Sequence, residues 1–175
     1  MASLPILTYP DPLLKKRSSP IEKIDDEIMK LAENMLEAMY QAPGRGVGLA
    51  APQVGWNLRL IVVDLNHKDE EAVDSEPIIL VNPEIVESEG EVIFEESCLS
   101  VPGYTVDIPR AEKVIVCGLD LRENPVEVET GDLLAIVLQH EIDHLDGNLI
   151  IDHVSPLKRE LYRRKQKKAQ KEKNP

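Results

Sequence analysis

The apolar residues between positions 26 and 40 recur with the period of a helix. Ile28, Leu31, Ala32, Met35, Leu36 and Met39 are spaced i, i+3, i+4, i+7, i+8 and i+11, which places them in one stripe. Asp25 and Asp26 precede the stripe, where carboxylates cap free N–H groups, and Pro43-Gly44 follows it. The pattern predicts an amphipathic N-terminal helix.

The middle of the chain consists of short runs rich in β-branched residues and bounded by proline or glycine. These runs predict strands at 58–65, 77–87, 91–100, 111–121 and 125–130, the last two joined by a turn at Glu123-Asn124. The glycine-rich segment 44–56 is predicted to be a loop, and the acidic segment 67–76 a surface loop.

Two more helices are predicted towards the C-terminus. One starts at Thr130 or Asp132, contains LLAIVLQHEIDH, and stops at Gly147, a residue typical of the position after a helix end. The other runs from about Pro156 into the lysine-rich end. We therefore predict an α+β fold in which mixed, mostly antiparallel strands pack around the helix of residues 140–144, with one helix near each terminus. We expect a single catalytic domain at 1–156 and a basic helical tail at 157–175.

Charge is distributed unevenly along the 175 residues. The net charge is −12, which argues against a general nucleic-acid binder and gives no reason to expect specific DNA recognition. Residues 157–175, however, contain nine Lys or Arg and two Glu, a charge of +7, which leaves −19 on the rest. The tail is either a solvated, fraying helix or a site for docking on ribosomal RNA, where nascent chains emerge.

The N-terminal segment has no charged region before an apolar run, and prolines interrupt it, so it does not resemble a secretory signal. No stretch approaches about 18 consecutive apolar residues, the length that a membrane span needs. We therefore expect a cytoplasmic protein without a membrane partner, in which Cys98 and Cys117 serve as a ligand or in packing and do not form a disulfide.

The sequence His140-Glu141-x-x-His144 carries the main chemical signal. Residues four apart on a helix project from the same face, so both imidazoles can bind one metal ion. Glu141 cannot easily join the same coordination sphere and is placed to take a proton from an attacking water. A chance arrangement on a surface helix is disfavoured, because the chain has only four histidines and the run LLAIVL buries the helix.

A third ligand downstream of this motif is hard to find. Gly147 fits the extended metzincin pattern, but its closing position is Ile150, and His153 comes three residues too late. The only later glutamates, Glu160 and Glu172, lie in the basic tail. A conventional metallo-endopeptidase is therefore disfavoured, and the third ligand is expected upstream.

The upstream candidates are Cys98, Cys117 and His67. Cys117 lies within an apolar strand, where a cysteine usually behaves as a small hydrophobic residue, and His67 lies in the acidic loop. Cys98 lies where a strand meets a Pro-Gly turn among polar residues. We predict that Cys98 completes the set, which leaves a fourth position open for catalysis and admits Fe²⁺, Zn²⁺, Ni²⁺ or Co²⁺.

Three separated stretches resemble the motifs of the peptide deformylase family in the same order and spacing. They are GVGLAAPQ at 46–53, ESCLS at 96–100 and QHEIDH at 139–144. Similarity in PRAEKV at 109–114 and SPLK at 155–158 extends the resemblance over roughly the whole chain. The family hydrolyses the N-formyl group of formylmethionine on nascent polypeptides and releases formate. It uses one metal ion, often Fe²⁺ in the native bacterial enzymes.

The resemblance also implies roles for single residues. Cys98, His140 and His144 match the metal ligands, and Glu141 matches the acid/base. Gln53 and the backbone N–H of Leu99 match the groups that face the developing oxyanion, although a loop glutamine could instead bond its own backbone. The backbone of Gly48 matches one that borders the substrate. A non-catalytic, metal-stabilised binding module is disfavoured, because nothing structural requires Glu141 and Gln53 beside the ligands.

Helix geometry and the resemblance together predict an apolar slot for the methionine side chain. Leu133, Ile136 and Val137 lie one and two turns before the first motif histidine, on or beside its face, and the resemblance places Val47 and Phe94 nearby.

Position 97 departs from the family pattern, since Ser97 replaces a glycine that is typical there. If this position required φ > 0, the serine would strain the backbone beside the ligand, but we expect no loss of metal. Glu96 and Arg110 are expected to pair and brace the loop.

Overall fold

The computed structural model describes residues 4–44, 46–66 and 76–173, and the predicted acidic loop 67–76 falls almost entirely outside them. The elements in chain order are α1 (Asp26–Gln41), β1 (Gly48–Ala50), β2 (Leu60–Val63), β3 (Ile78–Glu89), β4 (Val92–Cys98), β5 (Val101–Arg110), β6 (Lys113–Leu119), β7 (Pro125–Gly131), α2 (Asp132–Leu145) and α3 (Pro156–Lys173). Short 3₁₀ helices lie at Pro12–Lys15, Ala51–Val54 and Ile150–His153. The α+β fold and its three helices are as predicted.

Helix α1 confirms the prediction made from its apolar stripe. The Asp25 side chain accepts a hydrogen bond from the Ile28 N–H at 3.0 Å and so caps the first turn. The stripe residues are buried except for Leu36, which is half-buried. The helix is therefore specified by one capping residue and one continuous apolar face.

Five strands form an antiparallel sheet in the order β1-β2-β3-β6-β7, and β4 and β5 form a separate hairpin. Strand β2 shows why its sequence has no polar alternation. Leu60 and Val62 pack in the cluster that contains α1, while Ile61 and Val63 pack in the cluster that contains α2. Both faces of this strand are covered by helices, so every residue is apolar.

The structure differs from the sequence prediction in two segments. Residues 101–110, expected to begin as a Pro-Gly turn, form strand β5, and the predicted loop at 44–56 contains β1 and the 3₁₀ helix Ala51–Val54. Strand β5 pairs with β4 and buries Val101, Val106 and Ile108 in a third apolar cluster. The two prolines of β5 disfavour a strand, because proline has no N–H to donate. In a two-stranded sheet both strands are edge strands, so prolines are tolerated at positions that donate no hydrogen bond to the neighbouring strand.

Helix α3 is attached to the body through Tyr162. This side chain is buried beside Tyr9 and Tyr104, and its hydroxyl donates a hydrogen bond to the Pro102 carbonyl at 2.8 Å. The division of the chain at residue 156 stays a prediction. Within the described residues, no helix is both long and apolar enough to cross a membrane.

Candidate active site

Helix α2 places His140 and Glu141 in the lining of a pocket and carries the buried His144 one turn further along. One face of the helix packs through Ala135, Leu138 and Ile142 on the five-stranded sheet. Gln139 fixes the helix to the segment between β5 and β6. Its amide accepts from the Ala111 N–H at 2.9 Å and donates to the Ala111 carbonyl at 2.9 Å. The motif side chains are thus carried by a helix that is immobilised by both packing and hydrogen bonds.

Cys98 reaches the two histidines from the end of β4. Its Sγ lies 3.4 Å from His144 Nε2, which in turn lies 3.2 Å from His140 Nε2. The three ligand atoms all lie within 4.8 Å of one another. Cys117 is in the middle of β6, paired with β3 and β7, and does not belong to this group, while His67 lies outside the described residues.

The spacing of these atoms fits one divalent metal ion. A tetrahedral site with metal–nitrogen bonds of about 2.05 Å and a metal–sulfur bond of about 2.3 Å has N···N edges of about 3.3 Å and S···N edges of about 3.6 Å. The observed N···N and S···N separations are 3.2 Å and 3.4 Å. Two of the three donor–donor separations therefore match the edges of such a site, and Cys98 and His140 also line the pocket described below.

A buried ion-pair network holds His140 from behind. Glu96 Oε1 lies 2.7 Å from His140 Nδ1, and the carboxylate also accepts two hydrogen bonds from Arg110, at 2.6 and 2.9 Å. Arg110 Nη1 donates to Asp143 at 2.6 Å. The predicted pairing of Glu96 with Arg110 is confirmed. Because Glu96 accepts the Nδ1 proton, it leaves His140 Nε2 free to face the other two ligand atoms.

Protonation states in the metal-free protein follow from burial and this network. Burial alone would raise the pKa of Glu96, but hydrogen bonds from Arg110 and His140 lower it below its usual value. Burial would likewise lower the pKa of His140, yet its contacts with Cys98 and Glu96 raise it well above the usual range. Burial and the neighbouring His140 hold the pKa of His144 well below normal. A metal that binds both rings must therefore displace a proton from His140.

Glu141 is a buried carboxylic acid with an incomplete set of partners. It is 4% exposed, and its Oε2 has no hydrogen-bond partner within the described part of the chain. Burial raises the pKa of Glu141 from 4.5 to about 7, because a carboxylate is poorly solvated there. Such a group can both accept and return a proton near neutral pH.

Gln53 lies opposite the helix, and its amide orientation is defined. Its Oε1 accepts a hydrogen bond from the Ala50 N–H at 2.9 Å. Its Nε2 therefore points the other way, 3.1 Å from Ser100 Oγ and 3.8 Å from Cys98 Sγ. A bond between Gln53 and the backbone of its own loop was considered above as an alternative to a catalytic role. The bond to Ala50 is such a contact, and it orients the amide towards the site. Leu99 and Ser100 form the turn between β4 and β5.

A pocket of about 280 Å³ opens beside these groups. All the residues predicted for the methionine slot line it, namely Val47, Phe94, Leu133, Ile136 and Val137, and so does Gly48, whose backbone was predicted to border the substrate. Ile136 and Val137 are buried, whereas Phe94 and Leu133 are 38% and 44% exposed at its mouth. The pocket thus has apolar walls, and Gln53, Cys98, His140 and Glu141 supply polar groups to its lining.

Ser97 sits in this lining without backbone strain. The described non-glycine residues with positive φ are Asn82, Glu123 and Asp132, so position 97 does not adopt the left-handed conformation that favours glycine. The register of β4 against β5 shifts between Glu96 and Cys98, and the extra residues lie on β5: only Ser97 separates Glu96 from Cys98, whereas residues 102–105 separate their partners Val106 and Val101. Glu96 and Cys98 are two residues apart on β4 and so share one face of the strand, from which they contact His140 and His144.

Two supporting residues were not predicted from the sequence. Ser100 is fully buried and accepts from Gln53, and Asp143 supports Arg110 from the helix itself. Asp143 lies three residues after His140, a spacing that puts it on a neighbouring face, and this was the signal that could have revealed it. Ser100 has no comparable signal, because its partner is distant in sequence.

Comparisons with known proteins agree over nearly the full length. The family model described as polypeptide deformylase matches residues 3–160. A peptide deformylase of Thermodesulfovibrio yellowstonii is 53% identical over 165 residues, 94% of this chain and 97% of the relative. One from Syntrophobacter fumaroxidans is 49% identical over 98% of each chain. The crystal structure of a peptide deformylase from Legionella pneumophila has a TM-score of 0.87 and 48% identity and covers 98% of each chain.

Proposed function

The chain belongs to the polypeptide deformylase family, and we propose that the pocket beside Cys98, His140 and His144 is where it performs the family's reaction. The protein is a metal-dependent hydrolase that removes the formyl group from the N-terminal formylmethionine of nascent polypeptides. The observation that carries the assignment of the site is the group of three ligand atoms, spaced for one ion and facing an apolar pocket with Glu141 beside it.

Cys98, His140 and His144 would hold the metal, and Fe²⁺ is the proposed native ion, with Zn²⁺, Ni²⁺ or Co²⁺ as substitutes. One thiolate and two imidazoles suit all four ions. When bound, the ion supplies Lewis acidity towards the formyl oxygen and the attacking water. Glu96 supports it indirectly by fixing the ring of His140.

Glu141 is proposed to act as the general acid/base. It takes a proton from the attacking water and delivers it to the departing amine nitrogen, so the C–N bond of the formamide breaks and formate leaves. A pKa of about 7 suits both transfers, because neither protonation state is strongly disfavoured near neutral pH. The buried Oε2, which has no hydrogen-bond partner among the described residues, is the atom available for the proton.

Gln53 and Leu99 are proposed to stabilise the oxyanion that develops on the formyl oxygen. The Gln53 amide is aimed into the site by its bond to Ala50, and the Leu99 N–H belongs to the turn directly after Cys98. Removing one such donor typically slows the reaction about 10²–10³-fold. The backbone of Gly48 is proposed to border the substrate.

The first side chain of the substrate is proposed to enter the apolar part of the pocket. Val47, Ile136 and Val137 form its inner wall, and Phe94 and Leu133 form its rim. An unbranched methionine side chain suits such a slot, because it is apolar and flexible.

The activity is tested by measuring formate released from formyl-Met-Ala-Ser by anaerobically prepared, metal-loaded protein. We expect release by the wild type and a loss of at least about 10²-fold in Glu141→Ala. Glu127→Ala removes an exposed carboxylate on β7, outside the pocket lining, and serves as the control. Absence of formate from the metal-loaded wild type would overturn the assignment.

The basic tail is proposed to dock on ribosomal RNA and so bring a cytoplasmic enzyme to its substrates. Nine Lys or Arg lie within residues 157–175, and all those described lie on helix α3. Phosphate contacts of this kind weaken steeply with salt. Deleting residues after Tyr162 should abolish ribosome co-sedimentation at low salt while leaving formate release intact. Unchanged co-sedimentation would refute the docking. The domain boundary at 156 is part of this proposal.

A further inference from the structure

Gly48 in strand β1 lies directly against the carboxylate of Glu141. A Cβ atom added to Gly48 would stand 2.7 Å from Glu141 Oε1 and 3.0 Å from both Cδ and Cγ. Non-bonded carbon and oxygen atoms do not approach so closely without a shift of one partner. Any side chain at position 48 must therefore displace Glu141 or be displaced by it.

The backbone conformation does not explain the glycine at position 48. The described glycines with positive φ are Gly44, Gly55, Gly90, Gly103 and Gly147, and Gly48 is not among them. An alanine could adopt the β1 conformation without strain. The requirement at this position is therefore one of space.

Strand β1 cannot withdraw from the helix to make room. Gly48 pairs with Val63 of β2, and the neighbouring Val47 carbonyl accepts a hydrogen bond from the Asp64 N–H at 2.8 Å. Leu49 and Ala50 are fully buried in the two clusters on either side of the sheet. The backbone of Gly48 is thus fixed from behind.

Glu141 depends on this contact for its position. Its side chain is buried, and its Oε2 receives no hydrogen bond from any described residue. Helix α2 fixes where the side chain starts, but no partner of Oε2 fixes where the carboxylate ends. The backbone of Gly48, which carries no side chain, limits the position of the Glu141 carboxylate through van der Waals contact.

We propose that Gly48 is a positioning residue for Glu141, in addition to any contact it makes with the substrate. The inference rests on the proposed function, in which Glu141 moves the proton. Because Gly48 carries no side chain, the Glu141 carboxylate can pack directly against β1. This packing keeps the carboxylate oriented towards the attacking water and the amine nitrogen. A misplacement of about 1 Å in such a group can cost about 10²-fold in rate.

The first test is the steady-state kinetics of metal-loaded Gly48→Ala with formyl-Met-Ala-Ser. We expect kcat to fall about 10²-fold, with the visible spectrum of the Co²⁺-loaded protein unchanged, because the ligands are not displaced. Gly131→Ala is the matched control, since Gly131 also has no positive φ and its Cβ would meet its nearest atom at an ordinary 3.5 Å. A kcat for Gly48→Ala within about threefold of wild type overturns the proposal.

A thermal double-mutant cycle identifies the crowded partner without relying on activity. Gly48→Ala should lower the unfolding midpoint by about 3–9 °C when residue 141 is glutamate, and by much less in the Glu141→Ala background, where the space is vacant. A change that is equal in both backgrounds, including no change, overturns the proposal. The cycle remains readable if the wild type releases no formate, so failure of the proposed function is distinguished from failure of this inference.

Discussion

Replacing Glu96 with alanine should weaken both the fold and the metal site. The carboxylate accepts two hydrogen bonds from Arg110, at 2.6 and 2.9 Å, and one from His140 at 2.7 Å. Glu96 and Arg110 are 4% and 7% exposed, so the substitution leaves a buried guanidinium without its main partner. Asp143 remains 2.6 Å from Arg110 and offsets part of the loss.

The magnitude follows from these contacts. Removing one partner of a buried ion pair costs about 3–5 kcal/mol, and the remaining Asp143 contact favours the lower end, about 3 kcal/mol. For a chain of this length that corresponds to a fall in unfolding midpoint of about 6–12 °C. The loss of the bond to His140 Nδ1 frees the ring to rotate and to change tautomer, which typically lowers metal affinity about 10–100-fold.

Two measurements check this prediction. Thermal unfolding of the metal-free protein reports the ion pair, and Co²⁺ or Zn²⁺ titration against a competing chelator reports the site. Glu95→Ala is the control, because Glu95 is the exposed neighbour on the same strand. The reasoning fails if Glu96→Ala matches Glu95→Ala in both measurements. Since the folded-state pKa of Glu96 is lowered, its contribution should be present above pH 4.5 and lost as the pH falls further.

Four further substitutions, the last of them a control, test other parts of the structure. Burial raises the pKa of Glu141 from 4.5 to about 7, so this group stabilises the metal-free fold below pH 4.5 and loses that contribution as the pH rises through 7. Glu141→Gln should therefore gain up to about 3 kcal/mol over wild type between those values, and a difference that does not vary with pH would contradict the burial argument. Ser97→Gly should leave metal affinity unchanged and cost about 0.5–1 kcal/mol in unfolding free energy, whereas a gain in stability would reveal strain at the serine. Gly147→Ala should cost about 2–4 kcal/mol, because φ is +78° and a Cβ would lie 2.5 Å from the Lys15 carbonyl oxygen. Gly103→Ala, with φ of +74° and open space around it, should cost only about 1–2 kcal/mol, and equal losses for the two would refute the steric part.

Much of the site could be predicted because its chemistry is local in the sequence. The i, i+4 spacing of His140 and His144 on an apolar helix places both rings on one face whatever the rest of the fold does. The predicted pairing of Glu96 with Arg110 is confirmed, although this pairing rested on family resemblance and not on spacing. Asp143 was within reach of the same helical argument and was overlooked.

Other contacts depend on segments that are distant in the chain. Gln53 is aimed by Ala50 and meets Ser100, 47 residues later, and no local pattern links the two. Strand β5 was missed because its prolines and glycine suggest a turn, while its buried valines and isoleucine gain their stabilisation from packing against residues near both ends of the chain. Such contacts are decided by burial, and not by local propensity.

By itself, the sequence determined the helices, most of the strands, the pair of histidines with its adjacent glutamate, and the expectation of an upstream thiolate. These follow from periodicity and ligand spacing, which act over a few residues. Only the tertiary structure decided that Ser97 occupies an unstrained strand position, that Gln53 points its amide towards Cys98, and that Gly48 leaves space for Glu141. Each of these depends on how closely two separate backbones approach, and that distance is determined by the packing of the sheet against α2.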